Sequence, residues 1–154
     1  MSKESIMRTI FCLCLIVSLI PFPTAWGQKA KEHIAVHDAW IRWQPPSRPN
    51  SAAFMTIENN TGTQTALISV ASDSIGTVEL HAMEHTDGVM TMRQVEKIDI
   101  PANSDVELKS GGLHLMLFGI QKPLEAGEKI PLRLTFQDGS VVEVEAVVKG
   151  QDEE

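Results

Sequence analysis

From residue 34 onward the chain consists of short apolar-rich runs separated by Gly, Pro, Asn and Asp. Runs of four to about ten residues bounded by turn formers predict β-strands. They fall at 34–43, 52–58, 65–71, 77–85, 89–95, 105–108, 113–118, 130–136 and 141–148. No stretch carries a sustained apolar period of 3.6, so little helix is expected. Asn59-Asn60-Thr61-Gly62, Asp87-Gly88, Pro101-Ala102-Asn103, Gly111-Gly112 and Asp138-Gly139 supply the chain reversals. Many short strands at this spacing predict an all-β sandwich or barrel in one domain, residues 28–154.

Alternation within the runs gives the faces. Leu132, Leu134 and Phe136 share one face of their strand, and Val142, Val144 and Ala146 share one face of the next. Facing these sets requires an odd-length loop, Gln137-Asp138-Gly139, with Gly139 in the left-handed region. Trp40, Trp43 and Phe54 are assigned to the core, with an exposed aromatic platform as the lesser alternative. Met55 is assigned to the core as well.

The first residues have a different pattern. Lys3 and Arg8 precede an apolar run at 10–20, and Pro21, Pro23 and then Ala25-Trp26-Gly27 follow. The run has the length of a signal-peptide core and is too short to span a bilayer. Cleavage is expected between Gly27 and Gln28, making 1–27 a removed signal peptide and the periplasm the destination. An uncleaved anchor is the alternative. Neither Cys12 nor Cys14 sits in a lipobox-like setting.

Loss of that segment removes both cysteines, so the remainder has no disulfide and no thiolate ligand. A blue-copper electron-transfer site, which needs a Cys thiolate, is thereby excluded. The whole chain carries a formal charge of −7; without 1–27 it keeps eleven basic and nineteen acidic residues, or −8. An acidic domain without a basic stripe argues against nucleic acid as a partner. A monomer is expected.

Candidate chemistry lies in the distribution of Met and His. Five of the seven methionines follow residue 27, and four of those sit with three histidines in His81-Ala82-Met83-Glu84-His85, Met90-Thr91-Met92 and His114-Leu115-Met116. His81, Met83 and His85 share one strand face, with Leu80 and Ala82 on the other. The Asp87-Gly88 turn predicts a hairpin with two open registers: His81 opposite Met92 with Met83 opposite Met90, or Met83 opposite Met92 with His85 opposite Met90. Either keeps all five side chains on one face. In the third segment, Leu113, Leu115 and Leu117 take one face and His114 with Met116 the other. Thioether sulfur is soft and imidazole intermediate, a donor set that suits Cu(I). Taken singly, each Met is a gap filler and each His a surface residue; together the three segments point to a metal site. His33 and His37 share a face and form a weaker second candidate.

At these residues the chain resembles the periplasmic copper chaperones called PCuAC, whose motif is His, ten residues, Met, twenty-one residues, then His-x-Met. His81, Met92, His114 and Met116 match it without a gap. Asp38-Ala39-Trp40-Ile41-Arg42 and Gly88-Val89-Met90-Thr91-Met92-Arg93 match the family's flanking text. The resemblance implies a cupredoxin-like Greek-key β-sandwich and one Cu(I) held by those four residues. It also implies a copper acceptor protein: cytochrome c oxidase subunit II, at its dinuclear copper site, or another assembly chaperone. Met83, Met90 and His85 lie outside the motif, as possible secondary metal or transfer-path residues. The Glu-rich end departs from members with a His- and Met-rich tail. Copper storage or resistance without a dedicated acceptor is the alternative function, and a ligand-binding sandwich with an incidental Met/His cluster is a third. No acid–base pair or activated nucleophile marks an enzyme.

Overall fold

The computed structural model describes residues 34–86 and 88–150. The expected leader with Cys12 and Cys14, the Gly27–Gln28 cleavage point, His33, Asp87 and the last four acidic-tail residues lie outside the described residues. The elements are β1 (Ile34–Arg42), β2 (Ser51–Asn59), β3 (Thr65–Ala71), β4 (Ile75–Thr86), β5 (Val89–Gln94), β6 (Ile98–Ile100), β7 (Ser104–Leu108), β8 (His114–Ile120), β9 (Lys129–Phe136) and β10 (Val141–Lys149). The described residues contain no helix.

All ten strands belong to one hydrogen-bonded ribbon in the order β5-β4-β8-β2-β1-β10-β9-β3-β6. Strand β2 divides its outer edge, pairing β8 through Ser51–Ala53 and β7 through Met55–Asn59. Neighbours distant in sequence, such as β4 beside β8 and the parallel pair β1 and β10, require the chain to cross between layers. One core joins the layers. Ala53, Met55 and Ile57 from β2, Leu115 and Leu117 from β8, and Leu132, Leu134 and Phe136 from β9 all belong to it. Fully burying side chains of this size contributes roughly 1.5–3 kcal/mol each, and this apolar burial holds the fold together.

The β9–β10 hairpin follows the predicted alternation. Leu134 opposes Val142 and Leu132 opposes Val144. Phe136 N–H donates to the Ser140 carbonyl at 2.9 Å, closing the three-residue loop, and Gly139 has φ of 84°.

Two features were not legible in advance. Ile98-Asp99-Ile100 is a strand of three residues, too short for alternation to register, yet both isoleucines are buried against β3. Strand β1 carries a bulge at Asp38, whose φ is 51°. Two residues there oppose one of β2, which lets Val36 and Ile41 reach the same side although five positions apart.

Phe54 is buried as assigned and Trp40 is half-buried, but both lie on the face away from the main core. Alternation in β2 sends Ala53 and Met55 to the main core and Phe54 to the other face, where it opposes Trp40. Phe54 is 2% exposed because it is covered there, with its ring 4.5 Å from Trp40 and the Arg42 guanidinium 5.2 Å above it. Trp43 does pack on the main core.

Candidate metal centre

The face opposite the core collects the Met and His side chains. Directly opposed residues of antiparallel strands share a face. His81 opposes His114 and Glu79 opposes Met116 across β4 and β8. Met83 opposes Met92, and the His85 position opposes Met90, across β4 and β5. Of the two registers left open by the sequence, the second is therefore the one adopted. It places Gly88 in the loop with φ of 80°; the other would put that glycine in a strand. The pair Thr86 and Val89 closes the hairpin.

The backbone around Gly111 and Gly112 prepares His114. Gly111 has φ of 78°, a conformation that L side chains rarely adopt. The resulting turn ties Lys109 N–H to the Leu113 carbonyl at 2.7 Å. It leaves the Gly112 carbonyl to accept from Met83 N–H at 3.2 Å and from His114 Nδ1–H at 2.9 Å. A carbonyl only accepts, so a neutral His114 carries its proton on Nδ1 and its lone pair on Nε2. Nε2 stands 3.2 Å from the sulfur of Met92. A thioether has no proton to offer in return. Two lone pairs thus face a common point, an arrangement that suits an electrophile between them.

His81 lies beside this pair, with ring centroids 5.8 Å apart. Its Nε2 is 2.9 Å from Glu79 Oε2, and its Nδ1 is buried with no hydrogen-bond partner. Both histidines are almost wholly buried, at 9% for His81 and 6% for His114, whereas Met92 is 46% exposed. Met116 is half-buried on the same face, two residues along β8 from His114. Met83 shares the face, and Met90, 53% exposed, lies towards the turn of the hairpin. Phe54 walls the inner side with its ring 6.5 Å from that of His114. The face thus has an apolar floor, two buried imidazoles and a thioether at the rim.

Among the described residues no three His, Cys, Asp or Glu side chains are grouped as a metal site. Zinc or calcium would require such a set, whereas a soft ion can use the methionines. His37 pairs with Glu58 at 3.0 Å. Its proposed companion, His33, lies outside the described residues. Two contributors escaped the sequence reading, Glu79 and Phe54. Glu79 stands at the alternate position beside His81, so strand periodicity contained its signal, whereas the sequence assigns Phe54 to the core.

Residues 34–148 match the family described as "Putative lipoprotein LpqE-like". The putative lipoprotein Lxx21020 of Leifsonia xyli subsp. xyli (strain CTCB07) is 36% identical over 123 residues, covering 79% of this chain and 72% of its own. The solution structure of CuI-DR1885 from Deinococcus radiodurans superposes with a TM-score of 0.64 at 31% identity, over 77% of this chain and 79% of that one. The copper-bound PCuAC domain from PmoF2 gives a TM-score of 0.66 over 77% of this chain and 93% of that one; at 23% identity it speaks to the fold alone. The all-β ribbon and its relatives therefore agree, and the chain belongs to the LpqE-like family of PCuAC type.

Proposed function

We propose that this protein is a copper chaperone of the cell envelope, holding one Cu(I) with His81, Met92, His114 and Met116 and passing it to an acceptor protein. The observation that carries the reading is the pair of lone-pair donors, His114 Nε2 and Met92 Sδ, held 3.2 Å apart while the Gly112 carbonyl keeps the proton on Nδ1. Two imidazoles and two thioethers form a neutral, soft set suited to Cu(I). Kinship to DR1885, whose solution structure is that of the CuI form, supports the same cargo here.

Handover follows from the placement of the donors. The histidines are buried and anchored, while Met92 is half exposed on an edge strand. An incoming ligand can replace the flexible thioether first, before the imidazoles let go. The acceptor we favour is the dinuclear copper site of cytochrome c oxidase subunit II, whose cysteine thiolates bind Cu(I) more tightly than neutral donors do. Export through the segment 1–27 would bring the two together, and the lipoprotein names of the family and of the Leifsonia relative accord with an envelope location.

The test is a Cu(I) titration against a chromogenic chelator, followed by mixing the loaded protein with reduced, metal-free subunit II domain. One equivalent bound, and most of it moving to an equimolar acceptor, is expected. Copper retained at equilibrium would replace the chaperone reading with storage.

A further inference from the structure

Glu79 precedes His81 by two positions on β4, so the pleat sets both side chains on the metal face. Their contact is 2.9 Å, Glu79 Oε2 to His81 Nε2. An ionised carboxylate has no proton and can only accept, so a neutral His81 must carry its proton on Nε2. The lone pair then resides on Nδ1. Among the described residues only two buried side-chain nitrogen or oxygen atoms lack a hydrogen-bond partner, the Thr65 hydroxyl and this nitrogen. Leaving such an atom unpaired opposes folding, so a buried lone pair of this kind calls for a partner, which a bound ion can supply.

The two histidines are therefore held in opposite forms. At His114 a backbone carbonyl takes the Nδ1 proton and Nε2 is presented; at His81 a carboxylate takes the Nε2 proton and Nδ1 is presented. We infer that Glu79 is the positioning residue that fixes this form of His81, so that His81 ligates through Nδ1 while its other nitrogen stays bonded to the carboxylate; the inference rests on the copper reading. A carboxylate behind a ligating imidazole orients the ring and makes the presented nitrogen more basic. Glu79 also brings a negative charge next to four neutral donors, partly compensating the charge of Cu(I). With its side chain 30% exposed, the carboxylate keeps contact with water and avoids the desolvation cost of a buried charge. Across the ladder it stands opposite Met116.

The experiment is long-range proton–nitrogen correlation on histidine-labelled protein, before and after one equivalent of Cu(I). Before loading, His81 should appear protonated on Nε2 alone. On loading, the coordination shift should fall on His81 Nδ1 and His114 Nε2. Glu79→Ala should weaken Cu(I) binding by about ten- to a hundredfold, the usual effect of losing such a partner. Glu79→Gln, whose amide oxygen still accepts from Nε2–H, should recover part of the loss. A copper-free His81 protonated on Nδ1, or a coordination shift on its Nε2, would overturn the inference without touching the copper site. Equal losses in the Ala and Gln variants, with the loaded His81 unmoved, would also overturn it. Absence of any shift at both histidines would instead overturn the copper reading itself.

Discussion

A neutral histidine has one ring nitrogen that donates and one that accepts, and at His114 the Gly112 carbonyl decides between them. That decision is made before any metal arrives, so little reorganisation opposes binding. Removing a presented donor should therefore be felt directly. His114→Ala or Met116→Ala is expected to weaken Cu(I) binding at least tenfold, about 1.4 kcal/mol. Competition curves that overlay the parent in both variants would refute the ligand set. Protons compete for the same lone pairs, because an imidazole must be neutral to ligate. Affinity should fall as the solution is acidified, with no more than two protons displaced; a flat profile would take histidine out of the site. The turn that aims the carbonyl has its own sensitivity. Gly111→Ala forces a side chain into φ of 78° and should cost about 1–2 kcal/mol, read as a lower urea midpoint.

The hairpin of β4 and β5 extends past the core. Val78 and Leu80 pack inward on β4, but Glu84 follows on the same face, and all six residues of β5 are exposed. The outer hairpin is held by its ladder and by Glu84, whose carboxylate accepts from Arg93 across the strands. That hydrogen bond, aided by the guanidinium's charge, holds the Glu84 carboxyl below the ordinary carboxylate range and raises Arg93 above its own. A lowered carboxyl stabilises at pH above the unfolded value, and the contribution is lost as pH falls through the folded one. Amide exchange in β5 should therefore accelerate in acid relative to the core, and Arg93→Ala should remove that pH dependence. Equal acceleration in parent and variant would show that the pair does not hold the hairpin. At this scale the sequence was largely readable, because alternation survives wherever one face is buried. The hairpin register was not, since a shift of two residues leaves every side chain on its face. The left-handed demand of Gly88 chose between the two. The same limit hid β6, where three residues give no period, and the bulge at Asp38, where one added residue reverses the parity of β1.

Across the whole molecule, the metal face and the core are separate structures on opposite sides of shared strands. Met55, Leu80 and Leu115 pack inward while Phe54, His81 and His114 point out from the same β2, β4 and β8. Folding should therefore not depend on copper. The far end of the ribbon has its own fastening in buried Asn59, whose amide donates to the carbonyls of Thr63 at 2.9 Å and Pro101 at 3.0 Å. The motif histidines and methionines were legible because their residue types are unusual together, whereas Glu79 and Asn59 are ordinary residues whose roles appear only when distant strands meet. Separation of core and site makes a further outcome predictable. Loaded protein should be stabilised only by mass action, about 2.7 kcal/mol when free Cu(I) is a hundredfold above its dissociation constant. The proposed donors span β4, β5 and β8, so the metal would clamp the exposed edge strand to the interior across β4. Met92→Leu should leave the copper-free melting temperature nearly unchanged, because Met92 is 46% exposed and contributes little to packing. It should abolish most of the increment that Cu(I) brings, and with it the slowing of amide exchange in β5. A copper-free chain that fails to melt cooperatively, or a Met92→Leu variant that keeps the full increment, would mean that the metal is built into the fold differently.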